Sequence, residues 1–222
     1  MKIYVAYFDK NLNGGTVRLA YSSDYGATWT IENVETNLGY DPVIQDAHPS
    51  VYVDVYSNPH LAYLKYNGEQ HLRHAYKSGT SWVIETVDSI QYNGLFSDMV
   101  IDTNNTIHIS YENIDQGDTM YASKNGGGWT REIVDYTGIA GYFTSIDVKG
   151  NEKAIAYYNN VYANGSLAYY DGTQWRVITI PQYTGVNTVY GKYTGVRFAT
   201  DGNVWVGFAD NGNQLWVAKY LK

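Results

Sequence analysis

The sequence has no cysteine, four prolines and three methionines among its 222 residues. Without cysteine there is no disulfide, no thiolate metal centre and no cysteine nucleophile. Charged residues make up only 17% of the chain, and 15 Lys plus Arg against 22 Asp plus Glu leave a formal charge of −7. An acidic chain with few, scattered basic residues is a poor match for nucleic acid. No stretch approaches the roughly 18 apolar residues of a membrane-spanning helix, so no membrane partner is expected. No segment sustains a 3.6-residue apolar period, which argues against helices. What the chain does have is tyrosine: 24 residues, beside six Trp and five Phe. Disordered chains are poor in aromatics and rich in charge, so this composition belongs to a folded protein.

A repeat organises the aromatics. Trp29, Trp82, Trp129 and Trp175 are spaced 53, 47 and 46 residues apart. Each opens a short alternating segment: WTIENVE, WVIETVD, WTREIVD and WRVITIP. In the first three, Glu32, Glu85 and Glu132 stand three residues after the Trp, and Glu35, Asp88 and Asp135 stand six after it. A second shared element lies upstream (RLAYSS, RHAYKS, MYASKN, LAYYDG), and a third lies before that (YVAY, HLAY, HISY, AIAY, VGF). A fourth precedes it in three units (SVYVDV, MVIDT, TSIDV), and GVRFAT is of the same class. Asn-Gly and Asp-Gly pairs at 67–68, 125–126, 164–165, 171–172, 201–202 and 211–212 supply tight-turn chemistry between these elements.

Four short strands repeating every 40–50 residues or so are the pattern of β-propeller blades. The expected fold is therefore all-β: one propeller domain over 1–222, with five blades of antiparallel strands. Its units run at about 1–35, 49–88, 98–135, 144–181 and 194–222. The first unit opens at its second strand and the last ends after its third, so both end blades are expected to be incomplete. Their unpaired edges offer a route to a homo-oligomer. Blade packing accounts for the Trp residues and for the strand tyrosines, among them Tyr63, Tyr111 and Tyr157.

Residues 22–29 read Ser-Ser-Asp-Tyr-Gly-Ala-Thr-Trp. This resembles the S-x-D-x-G-x-T-W Asp-box, or BNR repeat, of the sialidase-like β-propeller superfamily, and the later units carry decayed copies. The resemblance implies that Asp24 clamps a turn on the face opposite the binding site. The arginine triad of that superfamily's sialidases is not recognisable, so sialidase activity is not the expectation.

The loops from strand four to the next strand one are the longest, and with the strand two-to-three loops they gather tyrosine, asparagine and aspartate on one face. That mixture suits a carbohydrate: rings stack on sugar C–H faces while polar groups bond hydroxyls. The leading reading is a lectin-like, non-catalytic protein whose partner is a glycan or other small molecule. Its expected ligand-binding residues are Tyr40, His48, Tyr92, Tyr142, Tyr162 and Tyr190. A glycosidase with a central funnel is the alternative, and Asp46, Asp98 and Glu112 are then the candidate acid and base, with Asp41 behind them. A lyase would use His48 with Tyr92, and a third reading is a scaffold that binds protein. No cofactor and no metal are expected. His60 and His108 open equivalent strands and read as packing residues, and the Asp115–Asp118 stretch lacks a full calcium ladder. Met1-Lys2 runs straight into strand residues with no signal peptide visible. A secreted, cell-surface or virion-surface location is favoured.

Overall fold

The computed structural model describes residues 2–39, 49–68, 70–90, 93–181, 190–210 and 214–221. Every regular element among them is a β-strand. The 18 strands form five sheets, with neighbours in sequence paired as neighbours in space. The first sheet holds β1 (Ile3–Asp9), β2 (Thr16–Ser22) and β3 (Thr30–Thr36). The second holds β4 (Ser50–Val53), β5 (Pro59–Lys65), β6 (His71–Ser78) and β7 (Ser81–Asp88). The third holds β8 (Asn93–Ile101), β9 (Ile107–Asn113), β10 (Asp118–Lys124) and β11 (Thr130–Asp135). The fourth holds β12 (Tyr142–Lys149), β13 (Glu152–Asn159), β14 (Asn164–Tyr170) and β15 (Trp175–Thr179). The fifth holds β16 (Tyr190–Phe198), β17 (Val204–Asp210) and β18 (Leu215–Tyr220). The first and last sheets thus have three strands and the middle three have four.

The chain divides into two compact units, Met1–Ser97 and Asp98–Lys222. In the first, Val17, Leu19 and Val34 pack with Leu61, Tyr63 and Ala75, closing the first sheet onto the second. In the second, Ala154, Ala156, Leu167 and Tyr169 pack with Val196, Val204, Val206 and Phe208, closing the fourth sheet onto the fifth. In the three four-stranded sheets the second strands are largely buried, covered on both faces, and β9 is buried at all seven residues. That is why the repeat spends Leu, Ile, Ala and Tyr there.

Polar groups tie adjacent sheets together and explain two periodic features. The Tyr63 hydroxyl donates to Glu35 Oε2 at 2.8 Å, and the Tyr157 hydroxyl donates to Asp135 Oδ2 at 2.5 Å. The acids six residues after Trp29 and Trp129 are therefore acceptors for the buried second-strand tyrosine of the following sheet. The turns follow the same economy. Asp54 Oδ1 accepts the backbone N–H groups of Tyr56 and Asn58, and Asp102 Oδ1 accepts those of Asn104 and Thr106. In the 22–29 turn Asp24 accepts from the Thr28 amide and hydroxyl, Gly26 sits at φ 92°, and Trp29 Nε1 donates to the Gly26 carbonyl. Those bonds, led by the Thr28 hydroxyl, hold the Asp24 carboxyl down at about 2.

Candidate functional site

Of the residues expected to act, Tyr40, Asp41, Asp46, His48 and Tyr92 lie outside the described residues, and only the backbone of Tyr190 is described. Tyr162 is 56% exposed in the β13–β14 turn. Asp98 is buried and committed to structure: its Oδ2 accepts the Ile146 N–H at 3.0 Å and its Oδ1 the Met99 N–H at 2.9 Å. Burial raises its pKa against those bonds. An equivalent contact joins the fourth and fifth sheets, where Ser145 Oγ accepts the Val196 N–H. Asp98 therefore ties the inner strand β8 to β12. The two histidines read as packing residues each face an aspartate, with His60 Nε2 3.5 Å from Asp54 and His108 Nε2 3.3 Å from Asp102. Among the described residues no group of His, Asp and Glu is arranged to hold a metal ion.

Glu112 and Tyr142 do come together, at the loop-rich end of the second unit. Glu112 ends β9, is 1% exposed, and leaves Oε2 without a hydrogen-bond partner. Burial pushes its carboxyl up to about 8, so it is protonated at neutral pH, and burial likewise raises the pKa of the half-buried Tyr142, with Glu112 adding to that shift once it ionises. Beside it the inner strands bulge. Phe143 has φ 55° and Tyr193 has φ 53°, a backbone region that bulky residues rarely enter. Their rings lie 4.6 Å apart, and Tyr193 is 70% exposed. Tyr142, Phe143 and Tyr193 thus form an aromatic platform, with a neutral carboxyl behind it.

Two clefts lie at the other end of the strands, near the strand one-to-two and three-to-four turns. Each is built from two adjacent sheets, and each contains a glutamate three residues after a repeat Trp. In the first unit the cleft is about 220 Å³, lined among others by Tyr4, Tyr21, Glu32 and Lys77. It is internally compensated: Lys77 pairs with Glu32, and Trp82 Nε1 donates to Glu32 Oε2 at 3.1 Å.

In the second unit the cleft is about 330 Å³, lined by the buried His108 and Tyr121 and by Ser123, Thr130, Arg131, Glu132 and Lys153. Glu132 corresponds to Glu32, and Trp175 corresponds to Trp82. The bond between that pair is not repeated, since Trp175 Nε1 is buried without a partner. Its ring instead packs edge-on against Tyr121, with centroids 5.7 Å apart. Lys153 lies 3.7 Å from the Tyr170 ring centroid and 5.6 Å from that of Tyr121. Burial lowers the pKa of its ammonium, and the nearby Glu132 opposes that shift. His108 Nδ1 is 2.5 Å from the Tyr121 hydroxyl, and burial likewise favours its neutral form. The cleft therefore offers aromatic faces, a carboxylate acceptor and cationic donors. From sequence, His108 and Tyr121 read as packing residues, Glu132 as a repeat position and Arg131 as one of five arginines that form no recognisable triad; none reads as a ligand-binding residue. The usable signal was the exposed glutamate three residues after the Trp, a position where packing does not require a charge.

This arrangement of four-stranded antiparallel sheets is shared with solved structures. The Aleuria aurantia fungal lectin, a six-bladed β-propeller with a fucose recognition mode, is 13% identical, with a TM-score of 0.55, covering 99% of this chain and 74% of the lectin. A protein of unknown function from Dyadobacter fermentans is 15% identical, with a TM-score of 0.56, covering 79% of this chain and 65% of that one. The Hadza microbial sialidase Hz136 is 13% identical, with a TM-score of 0.61, covering 92% of this chain and 44% of the sialidase. At these identities the likeness is one of fold, and the fold is that of the β-propellers. No family model matches the sequence, and no curated protein matches it.

Proposed function

We propose that the protein binds carbohydrate in the manner of a lectin, and that the cleft bounded by Glu132 and Lys153 is a binding site. One observation carries this reading: a cavity between two sheets in which aromatic side chains, a carboxylate and an ammonium converge, the Lys153 ammonium forming no salt bridge among the described residues. Such a mixture suits a pyranose, whose C–H face stacks on rings while its hydroxyls bond charged groups. A complex of the Aleuria aurantia lectin with alpha-methyl-L-fucoside, from a protein of similar fold, supports the ligand class. The loop-rich end of the second unit, with Tyr142, Phe143 and Tyr193, is a second platform in the same reading, to which we assign Tyr162 and Tyr190 as well; Tyr40, His48 and Tyr92 keep their proposed ligand-binding role. We further take the five sheets as five blades of one domain, and the 22–29 turn as an Asp-box of the sialidase-like superfamily; the proposed cleft lies at the end of the strands that carries the three-to-four turns, as that turn does, and not on the opposite face that the resemblance implies.

A glycan array at high protein concentration, followed by calorimetry on the hits, tests the proposal. Binding is expected in the wild-type protein and is expected to drop at least about tenfold in Glu132→Ala, which removes a charge-assisted acceptor. An array without hits would overturn it.

A further inference from the structure

We infer that the saccharide taken by the second unit's cleft carries an acid group, a carboxylate or a sulfate, and that Lys153 is its anchor. This rests on the carbohydrate reading above and asks which sugars the cleft selects.

The argument comes from comparing two equivalent clefts in one chain. In the first unit the polar groups neutralise one another: the Lys77 ammonium meets the Glu32 carboxylate, and the same carboxylate takes the Trp82 N–H. The other cation on this wall, Lys2, lies over Tyr21 and is exposed to solvent, unlike the half-buried Lys153 of the second unit. In the second unit the balance is different. Lys153 comes from the second strand of its sheet rather than the third, and it lies over Tyr170 and Tyr121. Among the described residues it forms no salt bridge. A ligand that completes this group must bring an acceptor, and a half-buried ammonium is best completed by an anion.

Arg131, Lys153 and Glu132 line the cleft, and Asp102 stands behind His108, which is held toward its neutral form. The chain as a whole carries a formal charge of −7. That combination favours a single acidic sugar residue over a polyanion: the whole molecule repels a long anionic chain, and Lys153 accepts one anion at close range. Glu132 keeps a distinct part in this scheme, since as an acceptor it suits sugar hydroxyls rather than the acid group.

The test uses the full chain and matched saccharides that differ only in the acid: glucuronic acid against glucose, galacturonic acid against galactose, and sulfated against unsulfated galactose. Calorimetry is run on the wild type, Lys153→Met and Lys153→Arg, with a thermal melt of each to confirm folding. The wild type is expected to bind at least one acidic member about tenfold or more tightly than its neutral partner, with the preference shrinking as salt rises. Lys153→Met is expected to reduce the acidic member to the neutral level while leaving the neutral one unchanged, and Lys153→Arg to keep the preference. The carboxylate and sulfate arms tell the two acid groups apart. Equal binding of acidic and neutral members, or a preference that survives Lys153→Met, overturns the inference. Neutral binding that still depends on Glu132 leaves the carbohydrate reading standing. Binding of no member overturns both.

Discussion

The Tyr157 hydroxyl, on the second strand of the fourth sheet, donates to Asp135 Oδ2 at the end of the third sheet's outer strand, 2.5 Å away. Both residues are buried, Tyr157 completely and Asp135 to within 2%. The bond closes one sheet on the next, and Tyr63 with Glu35 repeats it in the first unit. Burial and the neighbouring Asp135 charge raise the tyrosine's pKa well above its usual value, so the hydroxyl stays protonated and remains a donor.

Tyr157→Phe keeps the ring and removes the donor, leaving a buried carboxylate oxygen short of a partner. It is expected to destabilise the protein by about 1–3 kcal/mol. Urea denaturation of this variant beside Tyr162→Phe checks it. The second change, on an exposed ring, is expected to fall within about 0.5 kcal/mol of wild type.

Glu112 gives the fold a pH dependence of known sign. Its folded-state value of about 8 stands above the 4.5 of a freely solvated glutamate. The unfolded chain therefore releases this proton first. The stabilising contribution is full below about pH 4.5, declines as pH rises, and is gone once pH passes about 8. Glu112→Gln is expected to remove this slope, matching wild type near pH 5 and exceeding it near pH 9 by on the order of a few kcal/mol. Urea midpoints at pH 5, 7 and 9 provide the measurement, and a variant that parallels the wild type across that range contradicts the account.

Gly94 is required where it stands. It has φ +113°, and a Cβ there would lie 2.8 Å from the Leu72 Cα and Cβ. Gly94→Ala must therefore adopt a strained backbone and displace a neighbouring main chain. A loss of roughly 2–4 kcal/mol is expected, read from thermal or urea unfolding. Gly68→Ala is a useful companion: it has the same sign of φ at +75° but open space around it, so backbone strain is its only penalty.

Much of this architecture is legible in the sequence, because the repeat states each strand and turn several times over. The Trp-led outer strands, the Gly-containing turns at 125–126, 171–172 and 201–202 and the tyrosines at 63, 111 and 157 fall where periodicity places them, whereas Asn164-Gly165, expected in a turn, opens β14 and pairs with Asn159 and Tyr158, and Asn211-Gly212 lies outside the described residues. The acids six residues after each Trp are visible as a pattern, yet their partners are not, since Tyr157 is 22 positions from Asp135 and only the packing of sheets joins them. The same holds for the clefts. Glu132 and Lys153 come from different sheets, and Lys153 has no repeat counterpart to draw attention to it. Asp98 looks like a channel carboxylate in sequence because it precedes an inner strand, and only its bond to the Ile146 amide reveals its structural task. Periodicity marks positions within one sheet, whereas these sites arise between sheets.

The most direct test of the central claim is a crystal structure of the protein with the tightest-binding saccharide from the array. The account predicts the sugar in the second unit's cleft, with a ring face on an aromatic side chain, hydroxyls on Glu132 and an acid oxygen within hydrogen-bond distance of Lys153 Nζ. A sugar bound only at the loop-rich end beside Tyr142 and Tyr193, with the Glu132–Lys153 cleft empty, would contradict it.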